Sequence, residues 1–237
     1  MNNSFSLIIP TYNEAKNIKD LCFLLIEILK KENIVFEIII VDDNSPDGTW
    51  QIAENLSKQY QYIKVIRRIH KKGLATAVVT GWKKSSGGIL GVIDGDLQHP
   101  PELLPSMLKK IITESDLDIV IASRNVKGGS TEKWSLTRRI ISKMGTIIST
   151  LLLSDIIKDI KDPMSGYFIL RRRIIEGKNL TPLGYKILLE VLAKCACDKI
   201  IEIPYCFNER TNKASKAGLK QYLISLFHIF KLSIQTK

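Results

Sequence analysis

Short, unbroken runs of Ile, Val and Leu alternate with amphipathic stretches through the first half of this chain. Phe5 to Pro10, Phe36 to Val41, Ile63 to Ile66, Ile89 to Ile93 and Leu117 to Ala122 read as strands. Between them Glu14 to Lys31, Thr49 to Gln59, Leu74 to Ser85 and Pro101 to Thr113 read as helices. In the first of these Ile18, Leu21, Leu25, Ile28 and Leu29 share one face. Prolines open the Pro101 helix, where a missing N–H costs nothing. Strands that are apolar on both faces, alternating with helices, predict an α/β fold with a mostly parallel sheet covered on both sides.

The second half is less regular. Leu136 to Leu153 predicts a long helix with apolar and basic faces, and Asp162-Pro163-Met164-Ser165-Gly166 a turn before a strand at Tyr167 to Leu170. Gly184 to Ala196 reads as helix, Ile200 to Pro204 as strand, Asn208 to Ala217 as a polar basic loop, and Leu219 to Ile234 as a final helix. No repeat, linker or low-complexity segment divides the chain. We expect one domain over 1–237, with a nucleotide-binding half at 1–125 and an acceptor and membrane-interface half at 126–237.

Ligands of such sheets bind beyond the carboxyl ends of the strands. Pro10-Thr11-Tyr12, Asp42-Asp43, Asp94-Gly95-Asp96 and Ser123-Arg124 all fall there. Strand alternation would set Asp94 and Asp96 on one side. With Gln98 they form a set of hard oxygen donors suited to Mg²⁺ or Mn²⁺. An isolated Asp-x-Asp is more often a solvated turn, so its neighbours decide.

Charge narrows the partners. The 237 residues hold 35 Lys and Arg against 24 Asp and Glu, a net charge of +11. That excess favours an anionic partner, and the absence of zinc-finger spacing, arginine-rich tracts and aromatic-basic repeats argues against nucleic acid. Cys22, Cys195, Cys197 and Cys206 lack zinc-site spacing and read as reduced thiols. The first strand begins too early for a signal peptide, and no apolar run reaches the ~20 residues of a membrane span. Membrane contact is therefore expected to be peripheral.

Neither a glycine-rich dinucleotide fingerprint nor a phosphate-binding P-loop is present. Phosphatases with a nucleophilic Asp-x-Asp carry it after the first strand, whereas here it follows the fourth. Ile8-Ile9-Pro10-Thr11-Tyr12-Asn13-Glu14, Val41-Asp42-Asp43-Asn44-Ser45-Pro46-Asp47-Gly48-Thr49 and Asp94-Gly95-Asp96-Leu97-Gln98-His99-Pro100-Pro101 resemble glycosyltransferase family 2. Ser123-Arg124-Asn125-Val126-Lys127-Gly128-Gly129, Trp134, Arg138 and Asp162-Pro163-Met164-Ser165-Gly166-Tyr167-Phe168 extend the resemblance to its dolichyl- or polyprenyl-phosphate mannosyltransferase branch.

The resemblance implies a GT-A (Rossmann-like) fold and transfer of mannose from GDP-mannose to a polyprenyl phosphate. It implies a nucleoside pocket of Pro10, Tyr12, Glu14, Val41 and Asp43. Asp94, Asp96 and Gln98 would hold metal and diphosphate, with the Gly95 backbone near the sugar nucleotide. Arg124, Lys186, Arg210 and Lys216 would complete the nucleotide and phosphate contacts, and Arg138 and Ser142 the acceptor phosphate site. Asp94, Asp96 and Arg124 are the catalytic candidates. A phosphate acceptor is already ionised near neutral pH, so no general base is nominated, and direct displacement implies inversion.

The acceptor is a lipid. The Arg138 to Leu153 helix and the nearly all-apolar Tyr222 to Leu232 segment, flanked by Lys220 and Lys231, suit the headgroup plane on the cytoplasmic face of a membrane. The last helix could also dock a membrane-protein partner subunit. The alternatives are a glucose or other hexose donor, or a sugar-nucleotide-binding module without catalysis.

Overall fold

Every strand expected from the sequence forms, in the expected order, in a computed structural model that describes residues 3–70, 72–131, 136–153, 157, 159–207 and 219–235. At 136–143, 219–223 and 235 only the backbone is described. The elements are β1 (Phe5–Thr11), α1 (Ile18–Lys31), β2 (Phe36–Asp42), α2 (Thr49–Gln59), β3 (Ile63–Arg67), α3 (Leu74–Lys84) and β4 (Ile89–Val92). There follow α4 (Leu104–Thr113), β5 (Ile119–Ser123), α5 (Leu136–Leu152), β6 (Phe168–Arg171), α6 (Ile187–Lys194), β7 (Ile200–Pro204) and α7 (Leu219–Gln235). Two 3₁₀ turns, Pro101–Leu103 and Arg172–Ile174, were not anticipated. The first arises because Pro105 has no N–H for the Pro101 carbonyl, which instead accepts from Leu104 N–H.

Among the described residues the strands form one sheet in the order β3-β2-β1-β4-β6-β5-β7. β6 is antiparallel to both neighbours, β4 and β5, while every other pair is parallel. The second half of the chain thus supplies two strands to the first half's sheet. Odd-numbered side chains of β1 (Phe5, Leu7, Ile9) pack with α1 and α4, and Ile8 with α3 on the opposite face. Continuous burial on both faces is why the strands read as unbroken apolar runs. The first helix starts four residues later than expected, at Ile18, because Ala15 N–H donates to Asp47 and Asn13 adopts a φ of 58°. The four cysteines are free thiols, as expected.

At the end of the sheet opposite the site, Glu37 joins four segments. Its Oε1 accepts from Ser6 Oγ (2.6 Å), Ser86 N (2.6 Å) and Ser86 Oγ (2.9 Å), and Oε2 meets Lys64 Nζ at 2.6 Å. Burial opposes ionisation, but Lys64, Ser6 and Ser86 together hold the carboxyl at about 2. A folded pKa below the unfolded value gives stability that is complete above the ordinary glutamate range and is lost as pH falls towards about 2. Glu37→Gln should therefore cost about 1–3 kcal/mol at neutral pH in urea unfolding. Its deficit should shrink on acidification through that window; stability curves that stay parallel from neutral pH into acid would contradict this.

Candidate active site

The loops after β1 and β2 are tied by one buried carboxylate. Asp42 accepts from Thr11 Oγ1 (2.8 Å), Ser45 N (2.8 Å) and Ser45 Oγ (2.6 Å). Ser45 Oγ in turn accepts from Asn13 N–H at 3.0 Å, and Thr49 Oγ1 from Glu14 N–H at 2.9 Å. Asp42 thus shapes the loops and is spoken for structurally. Asparagine at 13 and 44 suits the left-handed φ of 58° and 55° that these turns require.

The nucleoside candidates divide by exposure. Tyr12 is 38% exposed, with Lys72 Nζ 5.2 Å from its ring centre. Glu14 is buried and accepts from Asn17 Nδ2 at 2.9 Å. Pro10 and Val41 pair across β1 and β2 and are buried. Val41 packs towards Ile8 and Gly81, so these two residues back the rim rather than line it. Asp43 Oδ1 receives Arg68 Nε at 2.6 Å and its Oδ2 receives Gly73 N–H at 2.6 Å. Burial raises the Asp43 pKa, while Gly73 and Arg68 pull it back. Arg68, which also donates to Thr76 and to the Gly73 carbonyl, was missed in the sequence. Its only signal there was a position just beyond the third strand.

Asp94 and Asp96 lie beyond β4, where strand alternation does not apply. Leu97 adopts a φ of 61°, unfavourable for a residue with a Cβ, and Gln98 N–H comes back onto Asp96 Oδ1 at 3.1 Å. Asp96 and Gln98 are buried, while the Asp94 side chain is 29% exposed. A Cβ at Gly95 would stand 3.2 Å from Thr11 Cγ2 and 3.4 Å from Glu14 Cγ, so its absence fits the turn against the end of β1.

Across β6, Arg124 binds Asp162 through two parallel bonds, Nε to Oδ2 at 2.8 Å and Nη2 to Oδ1 at 2.7 Å. Asp162 Oδ2 also receives Arg124 N–H at 3.0 Å. Burial alone would push the Asp162 carboxyl up, but Arg124 holds it below its ordinary value. Lys186 Nζ donates to the Met164 carbonyl at 3.1 Å, so the start of α6 meets the same turn. Of the remaining candidates, Arg210 and Lys216 lie outside the described residues. Arg138 and Ser142 are in α5, where only the backbone is described.

The donor set suits a divalent metal of the hard kind. Among the described residues no group of three or more His, Cys, Asp and Glu forms a closed cage. Two carboxylates and a carboxamide leave positions for ligand oxygens and water, the usual arrangement for Mg²⁺ with a diphosphate.

A mostly parallel sheet with an inverted strand and an Asp-x-Asp turn on its carboxyl rim has GT-A architecture. The crystal structure of glucosyl-3-phosphoglycerate synthase from Mycobacterium tuberculosis in complex with Mn²⁺, UDP and glucosyl-3-phosphoglycerate matches with a TM-score of 0.73, at 18% identity, over 98% of this chain and 79% of that one. Residues 6–177 match glycosyl transferase family 2, and the chain belongs to that family. It is 45% identical over 227 residues to the dolichol-phosphate mannosyltransferase of Pyrococcus furiosus, which covers 96% of this chain and 63% of the relative. The dolichol-phosphate mannosyltransferase of Saccharomyces cerevisiae is 34% identical over 250 residues, covering 98% of this chain and 89% of the relative. The chain thus spans less than two thirds of the archaeal relative's length and most of the yeast one's.

Asp162→Asn would remove the carboxylate charge that faces the buried Arg124 guanidinium. Removing one member of a buried pair costs about 3–5 kcal/mol, and a urea midpoint shifted by that amount is the expected result. A loss below about 1 kcal/mol would mean that the pair is solvated like a surface bridge.

Proposed function

We propose that this glycosyltransferase moves mannose from GDP-mannose to a polyprenyl (dolichyl) phosphate, with inversion at the anomeric carbon. The observation that carries the reading is the rim itself. The Asp94-Gly95-Asp96 turn stands beside a turn held by Arg124, Asp162 and Lys186, a negative metal-type site next to fixed cations. The named relatives at 45% and 34% identity support the choice of sugar and acceptor.

In this reading Tyr12, Glu14 and Asp43 hold the nucleoside, backed by Pro10 and Val41, and residues 1–125 form the nucleotide half. Asp94, Asp96 and Gln98 would hold Mg²⁺ or Mn²⁺, which neutralises charge on the departing diphosphate. Arg124 and Lys186 would add positive charge for the sugar nucleotide; Arg210 and Lys216 are proposed for the same role, and Arg138 and Ser142 for the acceptor phosphate, on the family resemblance alone. An acceptor phosphate attacks as an anion, so positioning and electrostatics suffice. Asp162 is committed to Arg124 and is not needed as a base.

The lipid is met by α5 and α7, which pack on each other. Met144, Ile147 and Leu151 form an exposed i, i+3, i+7 stripe on α5, and Phe227, Phe230 and Ile234 another on α7. Leu151 is 72% exposed and Phe227 62%. Gly145 of α5 faces Met164 of the catalytic turn, so the apolar stripe begins next to the site. Among the described residues no helix is long and apolar enough to cross a membrane, and two stripes of this kind suit the headgroup plane. The protein then works peripherally, at the cytoplasmic face of a membrane.

The test supplies purified protein with labelled GDP-mannose, UDP-glucose or GDP-glucose, Mn²⁺ or Mg²⁺, and a short polyprenyl phosphate. Label should enter the organic phase from GDP-mannose and disappear with chelator or Asp96→Ala. Phe227→Ser with Phe230→Ser should weaken liposome binding at least tenfold, since each buried aromatic contributes about 1.5–3 kcal/mol, and spare activity on the short acceptor. Nucleotide binding without transfer to any lipid phosphate would sink the enzymatic reading; transfer from a glucose donor alone would reassign the sugar.

A further inference from the structure

A buried hydrogen-bonded chain ends on Asp94 and is used by nothing described so far. His99 is 2% exposed, with Nε2 3.2 Å from Asp94 Oδ2 and Nδ1 2.9 Å from the Tyr205 hydroxyl. Its ring is enclosed by Tyr167, Tyr205 and Phe207, with centroids 5.4, 5.6 and 5.2 Å away. Facing a carboxylate, Nε2 is the nitrogen that carries the proton, and Nδ1 accepts from Tyr205. Burial raises the Tyr205 pKa, which keeps the hydroxyl a donor. Tyr205 is itself fixed by its N–H on the Ser123 carbonyl and its carbonyl on Ser130 N–H, both at 3.1 Å. Gly166 closes the arrangement. A Cβ there would stand 3.2 Å from Asp94 Oδ2 and 3.4 Å from His99 Nε2, so a side chain would press on the contact.

We propose that His99 is a positioning residue for the metal: it fixes the plane of the Asp94 carboxylate, and Tyr205 fixes the tautomer and ring angle of His99. The proposal rests on Asp94 being a metal ligand. A lone carboxylate on a turn samples several rotamers. One oxygen held by a buried donor presets the geometry that a hard cation demands. Outer partners of this kind typically govern about 10–100-fold in metal affinity. Filling space in the core would also bury an imidazole here, but would require neither polar bond.

Full-length protein is titrated with Mn²⁺ in the presence of GDP, and free ion is followed by electron paramagnetic resonance. His99→Phe keeps the aromatic volume and should weaken Mn²⁺ binding by about 10–100-fold. His99→Gln, which can present an N–H to Asp94, should recover part of the loss. Tyr205→Phe removes one oxygen atom and carries the test if His99→Phe fails to fold; it should weaken Mn²⁺ binding in the same direction, with the apparent KM for metal rising more than that for sugar nucleotide. If Asp94→Asn abolishes binding while His99→Phe and Tyr205→Phe bind Mn²⁺ like the wild type, the positioning role is wrong and the site reading stands. If Asp94→Asn and Asp96→Asn leave binding unchanged, the site reading itself falls and takes the proposal with it.

Discussion

The ion pair between Arg124 and Asp162 is the constraint on which this side of the candidate site depends. It fastens the end of β5 to the turn that delivers β6, the strand that runs against both its neighbours. That turn sets three neighbours at once. Gly166 abuts Asp94 and His99, the Met164 carbonyl receives Lys186, and the Met164 side chain meets Gly145 of α5. A buried pair need not add net stability over an apolar one, but it admits few geometries. Here one geometry ties Asp94, Lys186 and α5 to a single turn.

Charge is arranged across the rim in a matching way. Buried charges are paired across it, Asp43 with Arg68 and Asp162 with Arg124, while Asp94 and Asp96 stand beyond β4 and Lys186 at the start of α6. The net charge of +11 suits both an anionic acceptor and an anionic membrane surface. Exposed aromatic and aliphatic stripes on α5 and α7 would otherwise be costly on a surface in water.

Central strands were legible in the sequence because burial on both faces writes itself as an unbroken apolar run; β7, a half-buried edge strand interrupted by Glu202, still matches its expected bounds at Ile200–Pro204. Direction was not legible. Phe168–Arg171 is as buried as β4 and β5 on either side of it, so nothing in its composition marks it as inverted. The rim was visible as polar clusters at strand ends, while the turn that follows β4, with its left-handed Leu97, was not. Partners across long separations were hidden. Arg68 with Asp43, Asp162 with Arg124, and Tyr205 with His99 are 25, 38 and 106 residues apart. Single-residue chemistry can nominate one member of such a pair, but only the fold supplies the other.

The most direct measurement is a crystal structure grown with Mn²⁺ and GDP, with anomalous scattering recorded for the metal. The account predicts one manganese peak bonded to Asp94 and Asp96 within about 2.0–2.2 Å, the spacing of small octahedral cations. The diphosphate should complete the metal shell, and His99 should remain on Asp94. A manganese bound elsewhere, or a nucleotide whose diphosphate lies away from this turn, would contradict it.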